Sequence, residues 1–161
     1  MRNHKSNTLK ITIGVEPPSS HDAQSLMRQL DEDLLRRYPA LQKTHGLHPQ
    51  DLIDTNFTFV IAKIDSTAVG CGALRRIEPG IGEIKRMFVL PDFRRRGIAR
   101  RILEALESRA REMRETSVLL ETGIGQPEAI EFYKSAGYHE IAGFGEYAGS
   151  PFSVCFEKRL R

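Results

Sequence analysis

The sequence predicts a single domain of the α/β (α+β) class, in which a mixed, mostly antiparallel sheet is flanked by helices. The chain has 161 residues, a usual size for one domain, and 40% hydrophobic and 28% charged residues, as in ordinary globular proteins. Hydrophobic periodicity gives the element order β-α-β-β-β-α-β-α-β-β, with no internal repeat and no linker. We therefore expect one domain over residues 9–161, preceded by a flexible N-terminal tail of residues 1–8.

The composition narrows the class of protein further. No apolar run approaches the roughly 20 residues that a membrane-spanning helix needs, and the polar N-terminus lacks the apolar stretch of a secretory signal. Two cysteines, Cys71 and Cys155, are too few for a disulfide framework and suit a reducing compartment. We expect a cytoplasmic protein with no membrane partner, whose two cysteines are buried in strands and inert.

The chain begins with a strand and a helix. Alternating apolar and polar residues predict a half-buried strand over Leu9–Val15. A serine cap, an apolar stripe at three- and four-residue spacing and a following proline predict a helix over His21–Tyr38. The segment 40–56 shows no clear periodicity, so we expect a loop with a short helical piece, of the kind that often flanks a substrate site.

Three strands follow as a meander. Phe57–Ile64 and Thr67–Ile77 are rich in β-formers, and the two residues between them predict an antiparallel hairpin. The turn Glu78-Pro79-Gly80 leads into a third strand, Glu83–Leu90, which Pro91 ends.

The second half of the sequence alternates helices and strands. An apolar stripe predicts a long helix over Gly97–Arg114, and the almost fully apolar run Ser117–Thr122 predicts a buried parallel strand. Pro127 opens another helix that ends with Gly137 as its C-cap, and Tyr138–Ala142 and Pro151–Lys158 supply two last strands.

Positive charge is concentrated in one short segment. The net charge is only +3, but five arginines fall between Arg94 and Arg101. Such a cluster can bind nucleic acid, a membrane surface or a compact polyanion, or it can be a solvated helix terminus. The chain lacks the interleaved aromatic residues of a nucleic-acid platform, so we favour a compact phosphorylated ligand and no nucleic-acid partner.

The turn Arg94–Ala99 lies between a predicted strand and a predicted helix. The first backbone N–H groups of a helix have no internal partner and lie at the positive end of its dipole, so they form an anion site. Gly97 allows a phosphate to approach the backbone closely, and the small Ala99 keeps the next position uncrowded. Taken alone the pattern is weak evidence, and a capped surface helix explains it better.

A second motif makes the functional interpretation of the turn more specific. The helix after the buried strand carries the sequence AIEFYKSAGY, residues 129–138. The order strand, Arg-x-x-Gly-x-Ala, amphipathic helix, buried strand and this second helix resembles the GNAT superfamily of N-acetyltransferases, from about Phe57 to Tyr138. The resemblance implies the GNAT fold and direct transfer of an acetyl group from acetyl-CoA to a primary amine, with no acyl-enzyme and no metal.

The resemblance also assigns the residues that bind the coenzyme. The Arg-x-x-Gly-x-Ala motif, which Arg94 opens, implies that the pyrophosphate is surrounded by the backbone amides of Arg95, Arg96, Gly97, Ile98, Ala99 and Arg100. The preceding strand in this family splays from its neighbour and binds the pantetheine arm through its backbone, a role that falls on Met87, Phe88 and Val89. Gln126 stands where many members have an asparagine that contacts the pantetheine.

Two side chains are the candidates for catalysis. Glu83 lies 94 − 83 = 11 residues before Arg94, where glutamate-dependent members carry their general base. It can equally be a strand-edge carboxylate paired with Lys85 or an arginine. Tyr133 matches the family tyrosine whose hydroxyl reaches the coenzyme sulfur, and its alternative role is core packing.

The acceptor is the least determined part. Arg75 and Tyr147 are candidate acceptor-binding residues, and Arg75 can also be a solvent-facing strand arginine. We favour a small-molecule amine over a protein lysine or N-terminal amine, and over a non-catalytic acetyl-CoA sensor. Family habit suggests a homodimer through the last two strands. A metal pair at His45 and His48 lacks further ligands nearby, so we expect no metal.

Overall fold

The structure is a computed structural model that describes residues 9–39 and 56–161. Its strands are β1 (Ile11–Val15), β2 (Phe57–Ile64), β3 (Thr67–Glu78), β4 (Ile81–Val89), β5 (Ser117–Gly123), β6 (His139–Ile141) and β7 (Ser153–Arg159). Its helices are α1 (His21–Arg37), α2 (Ile98–Glu112) and α3 (Pro127–Ser135). The predicted tail, residues 1–8, and the predicted loop with His45 and His48, apart from its last residue, lie outside the described residues.

The seven strands form one sheet in the order β1-β2-β3-β4-β5-β7-β6. Among the described strands, β4 and β5 are parallel and the other five neighbouring pairs are antiparallel. The predicted mixed, mostly antiparallel sheet flanked by helices is therefore confirmed. The last strand of the chain, β7, lies between β5 and β6, so both C-terminal strands pair within the chain.

Each face of the sheet packs against its own helix. On one face, Ala23, Leu26 and Leu30 of α1 pack against alternate residues of β2, β3 and β4. On the other face, α2 buries the predicted apolar stripe, which includes Ile98, Ile102, Leu103, Leu106 and Ala110. Because successive strand residues point to opposite faces, the two cores take alternate positions of the same strands.

Several element boundaries differ from the prediction for local reasons. β1 begins at Ile11 and not at Leu9, because Ile11 already pairs with Ile64, the last residue of β2. α2 ends at Glu112, two residues early, because Arg114 has a positive φ of 62° and leaves the helix. Two 3-10 helices, Pro91–Phe93 and Gly145–Tyr147, were not predicted.

Both cysteines lie in strands, as predicted. Cys71 in β3 and Cys155 in β7 are buried and form no disulfide. Burial raises the pKa of the Cys71 thiol to about 12, and burial also raises the pKa of Cys155. No helix within residues 9–39 and 56–161 has the length and apolar character needed to cross a membrane.

Candidate active site

The two parallel strands at the centre of the sheet separate halfway along their length. β4 and β5 pair only from Ile81–Ile84 against Ser117–Leu120. Directly after this pairing, Arg86 takes a positive φ of 58°, and the register between β3 and β4 shifts. A bulge of this kind bends the strand that contains it, and here it lies where β4 parts from β5.

A cleft of about 250 Å³ lies where the strands part. Its walls come from several parts of the fold, among them Lys85 of β4, Glu121 of β5, Tyr38 after α1, Tyr133 of α3 and Tyr147 of the loop before β7. The cleft therefore receives side chains from both faces of the sheet, which is possible only because the strands have separated.

The far end of β4 leads into the predicted anion-binding turn. Arg95 and Gly97 have positive φ angles of 62° and 77°, and α2 begins at Ile98. Within the described part of the chain, no group accepts a hydrogen bond from the backbone N–H groups of residues 95–100. Successive N–H groups around such left-handed residues form a concave anion site, strengthened here by a helix N-terminus.

The turn fits a diphosphate such as that of acetyl-CoA. A Cβ atom added to Gly97 would meet nothing within 4 Å, so this side of the backbone is open to a ligand. Arg95 and Arg96 are exposed beside it, and the Arg96 guanidinium lies 5.4 Å from the centre of the Phe93 ring. Arg100 donates a hydrogen bond to Ser135 Oγ at 2.9 Å, so α3 is linked to the turn.

Glu83 is the most buried charged group of the site, with 2% of its surface exposed. Arg75 donates to Glu83 Oε2 from Nε at 3.0 Å and from its terminal nitrogen at 2.9 Å. The Tyr147 hydroxyl donates to Glu83 Oε1 at 3.0 Å. The structure thus brings together three of the predicted site residues, and the carboxylate is paired with an arginine inside the sheet and not at its edge.

Lys85 completes this cluster, although the sequence analysis gave it no site role. Its Nζ atom lies 3.4 Å from the Tyr147 hydroxyl oxygen, 3.8 Å from Glu83 Oε1 and 3.6 Å from Glu146 Oε1. Lys85 lies two residues after Glu83 on the same strand, so both side chains point to the same face of the sheet. This two-residue spacing is the sequence signal that could have identified Lys85 as a site residue.

Tyr133 lies on the opposite side of the cleft from this cluster. Its ring is buried against Tyr138 and Phe156, with centroid distances of 5.9 and 6.2 Å. Among the described residues its hydroxyl has no hydrogen-bond partner. Burial, aided by the Glu121 carboxylate, raises the pKa of Tyr133, so the hydroxyl keeps its proton at neutral pH.

Gln126 and Tyr38 form the outer wall of the cleft. Gln126 precedes α3, and its Oε1 accepts hydrogen bonds from Thr122 Oγ1 at 3.2 Å and Gly123 N at 3.3 Å. The Tyr38 hydroxyl oxygen accepts a hydrogen bond from Gly125 N at 3.0 Å. Sequence analysis did not find Tyr38, because its partner is 87 residues away and no local pattern signals the contact.

Comparison with known proteins agrees with this geometry. Residues 23–138 match the acetyltransferase (GNAT) family. An IAA acetyltransferase of Azospirillum brasilense is 39% identical over 151 residues, which cover 93% of this chain and 98% of that protein. The uncharacterized N-acetyltransferase YsnE of Bacillus subtilis is 30% identical over 121 residues, 74% of this chain and 80% of that protein.

A solved acetyltransferase structure from Streptococcus agalactiae has the same fold, with a TM-score of 0.75 at 20% identity over 93% of this chain and 98% of that one. The family match and the relative at 39% identity confirm the resemblance seen in the two sequence motifs. The chain belongs to the GNAT family of N-acetyltransferases, the enzymes that take their acetyl group from acetyl-CoA.

Proposed function

We propose that this N-acetyltransferase moves the acetyl group of acetyl-CoA directly to a primary amine of a small molecule. One observation carries the proposal: a single strand, β4, joins the open amide turn at residues 95–100 to a cleft that holds Tyr133 and Tyr147. The anion site lies at one end of β4, and the proton-transfer groups lie in the cleft at the other. This arrangement suits a long acetyl donor that has a phosphate-bearing end and a reactive end.

The coenzyme-binding residues follow from this arrangement. The backbone N–H groups of residues 95–100 would hold the diphosphate, with the exposed arginines adding charge. Among the described residues, β4 pairs with β5 only as far as Ile84, so the backbone of Met87, Phe88 and Val89 can bind the amides of the pantetheine arm. Gln126 lies beside the same cleft and is the candidate for a further pantetheine contact.

The two catalytic roles are assigned by position and chemistry. Acetyl-CoA supplies an activated thioester. The acceptor amine must lose a proton, and Glu83 is the carboxylate that takes it, held in place by the two hydrogen bonds from Arg75. Tyr133 lines the cleft, and its hydroxyl, which has no hydrogen-bond partner among the described residues, holds the proton that a departing thiolate requires.

One relative supports the small-molecule acceptor. The Azospirillum brasilense relative is an IAA acetyltransferase. Of the two predicted acceptor-binding residues, Tyr147 lines the cleft, whereas Arg75 lines the neighbouring pocket together with Glu83. We further propose a single domain over residues 9–161, a cytoplasmic location and a homodimer, the last to be tested by light scattering coupled to size-exclusion chromatography.

The test is release of coenzyme A from acetyl-CoA across a panel of amines, read with a thiol reagent. The panel includes amino acids, polyamines, aromatic amines and peptides with a free lysine or N-terminus. Cys71 and Cys155 add little background because both thiols are buried and their pKa values are raised. Turnover with a small amine supports the proposal, and faster turnover with peptides would favour a protein acetyltransferase. Acetyl-CoA binding without turnover of any amine would indicate a sensor and contradict the proposal.

A further inference from the structure

Glu83 does not itself line the cleft. The cleft wall includes Lys85 and Tyr147, whereas Glu83 lines a second, neighbouring pocket with Arg75 and Glu146. Within residues 9–39 and 56–161, Tyr147 is the residue that lines both. The Tyr147 ring is buried, and its hydroxyl lies between Lys85, a residue of the cleft wall, and the Glu83 carboxylate. An acceptor in the cleft therefore meets the Tyr147 hydroxyl before it can reach Glu83.

We propose that the Tyr147 hydroxyl is a catalytic proton relay, which carries a proton from the acceptor ammonium in the cleft to the Glu83 carboxylate. The inference rests on the proposed function and adds to it. An N–H bond of the ammonium breaks as its proton moves to Tyr147 Oη, and the Tyr147 O–H bond breaks as that proton moves to Glu83 Oε1. The amine becomes a neutral nucleophile, Tyr147 is neutral before and after, and Glu83 becomes a carboxylic acid.

The hydrogen bonds already present have the polarity that this relay needs. The Tyr147 hydroxyl donates to Glu83 Oε1 at 3.0 Å, so its own proton points at the base. Lys85 Nζ donates to the same oxygen at 3.4 Å, and the relay requires that the acceptor ammonium donate to this oxygen as well. Arg75 holds Glu83 Oε2, so Oε1 is the oxygen left to receive the proton.

The second pocket provides a route by which the proton on Glu83 can leave. It is lined by Glu83, Arg75, Glu146 and residues of the loop that carries Tyr147, and it opens on the other side of the carboxylate. A proton on Glu83 can thus pass to solvent without crossing the cleft. The acceptor then stays on the side where the strands part, and the proton leaves on the other.

Charged or titratable groups from several elements surround the relay. Arg75 comes from β3, Lys85 from β4, Glu121 from β5, Glu146 from the loop, and the thiol of Cys155 from β7. Burial, aided by the carboxylates of Glu83, Glu121 and Glu146, raises the pKa of Tyr147. A tyrosinate therefore does not accumulate, and the residue acts as a neutral donor and acceptor and not as a stored base.

The experiment measures the pH dependence of kcat/KM with the best amine of the panel for Glu83→Gln, Tyr147→Phe and the double variant. We expect each single variant to lose about 100-fold in kcat/KM at neutral pH, the range of a general base. We expect the double variant to lose no more than the slower single variant, because both residues serve one path. The pH profile of kcat/KM should be the same in the two single variants, because both lose the same path.

Tyr138→Phe is the matched control. It removes a buried tyrosine hydroxyl that donates to a buried carboxylate, Glu107, at 2.9 Å, outside the cleft. This variant should keep the wild-type kcat/KM and pH profile even if its melting temperature falls. Acetyl-CoA affinity, measured by calorimetry, should be unchanged in Tyr147→Phe, which shows that the variant is folded and that the loss lies in the chemical step.

The outcomes separate the inference from the proposed function. Wild-type rates in Tyr147→Phe, with Glu83→Gln impaired, overturn the relay and leave Glu83 as the base. If the kcat/KM losses of the two single variants multiply in the double variant, the relay is also overturned, because the two residues then act on independent paths. Full activity in Glu83→Gln overturns the base assignment and the relay together. Absence of turnover in the wild type overturns the proposed function itself.

Discussion

Arg94 donates a hydrogen bond from Nε to the backbone carbonyl oxygen of Val89 at 2.9 Å. Its guanidinium also lies 5.6 Å from the centre of the Phe88 ring and 4.0 Å from Asp33 of α1. The arginine that opens the predicted motif thus turns back onto the end of β4. Its contacts hold the shape of the turn, while the open N–H groups of residues 95–100 remain available to an anion.

Replacing Arg94 with alanine should lower the free energy of unfolding, and this effect should be larger than any effect on phosphate binding. The lost hydrogen bond involves a charged donor, so we expect a cost of about 1–3 kcal/mol in the free energy of unfolding. For a chain of this size that corresponds to a fall in Tm of about 2–4 °C per kcal/mol. Arg95→Ala is the control, because Arg95 is exposed and should weaken acetyl-CoA binding without a change in Tm. Equal Tm values for both variants would contradict this role of Arg94.

Gly97 should be the position at which coenzyme binding is most sensitive to a side chain. Gly97→Ala introduces a Cβ at a φ of 77°, at a cost of about 1–2 kcal/mol, and Gly97→Glu adds a negative charge to the anion site. We expect the Kd for acetyl-CoA to rise modestly in the first and at least tenfold in the second. Gly80→Glu is the control. It places a side chain at a φ of 86° in the turn before β4, so it should have the same backbone strain and leave the Kd for acetyl-CoA unchanged. Equal affinities in Gly97→Glu and the wild type would exclude the turn as the anion site.

The features that were best predicted from the sequence are those formed by residues close together in the chain. The anion-binding turn was predictable because its glycine, its arginines and its helix start lie within six residues. The hydrogen bond from Tyr147 to Glu83 spans 64 residues, and no short pattern reports it. The separation of β4 from β5 depends on a positive φ at Arg86, a residue type that gives no turn signal. The splay was therefore expected only from the resemblance to a family.

Tyr133→Phe should lower kcat with little change in acetyl-CoA affinity, because the unpartnered hydroxyl makes no contact that the ring packing needs. A general acid contributes about 100-fold or more, so the loss should be easily measured. Because burial raises the pKa of Tyr133, its deprotonation should cause no alkaline loss of activity below pH 10. An unchanged kcat would show that Tyr133 serves only the packing of α3.

Alkaline pH should destabilise the fold through three buried tyrosines. Burial raises the pKa of Tyr133, Tyr138 and Tyr147 above the ordinary value of 10, with carboxylates adding to the effect. Below pH 10 the folded and unfolded chains both keep these protons, so the stabilisation is fully present. Above pH 10 the unfolded chain releases protons that the folded chain retains, and the free energy of unfolding falls by up to about 1.4 kcal/mol per pH unit for each tyrosine.

Urea unfolding between pH 8 and pH 11 measures this decline. Tyr138→Phe removes one of the three groups, so its stability should be lower than that of the wild type at pH 8 and should fall less steeply above pH 10. Cys71 adds a smaller decline that begins lower, because burial raises the pKa of its thiol from 9 to about 12. Cys71→Ala separates the thiol contribution from that of the tyrosines. A free energy of unfolding that stays constant up to pH 11 would mean that these hydroxyls titrate as they do in water, and that the three tyrosine side chains are open to solvent in solution.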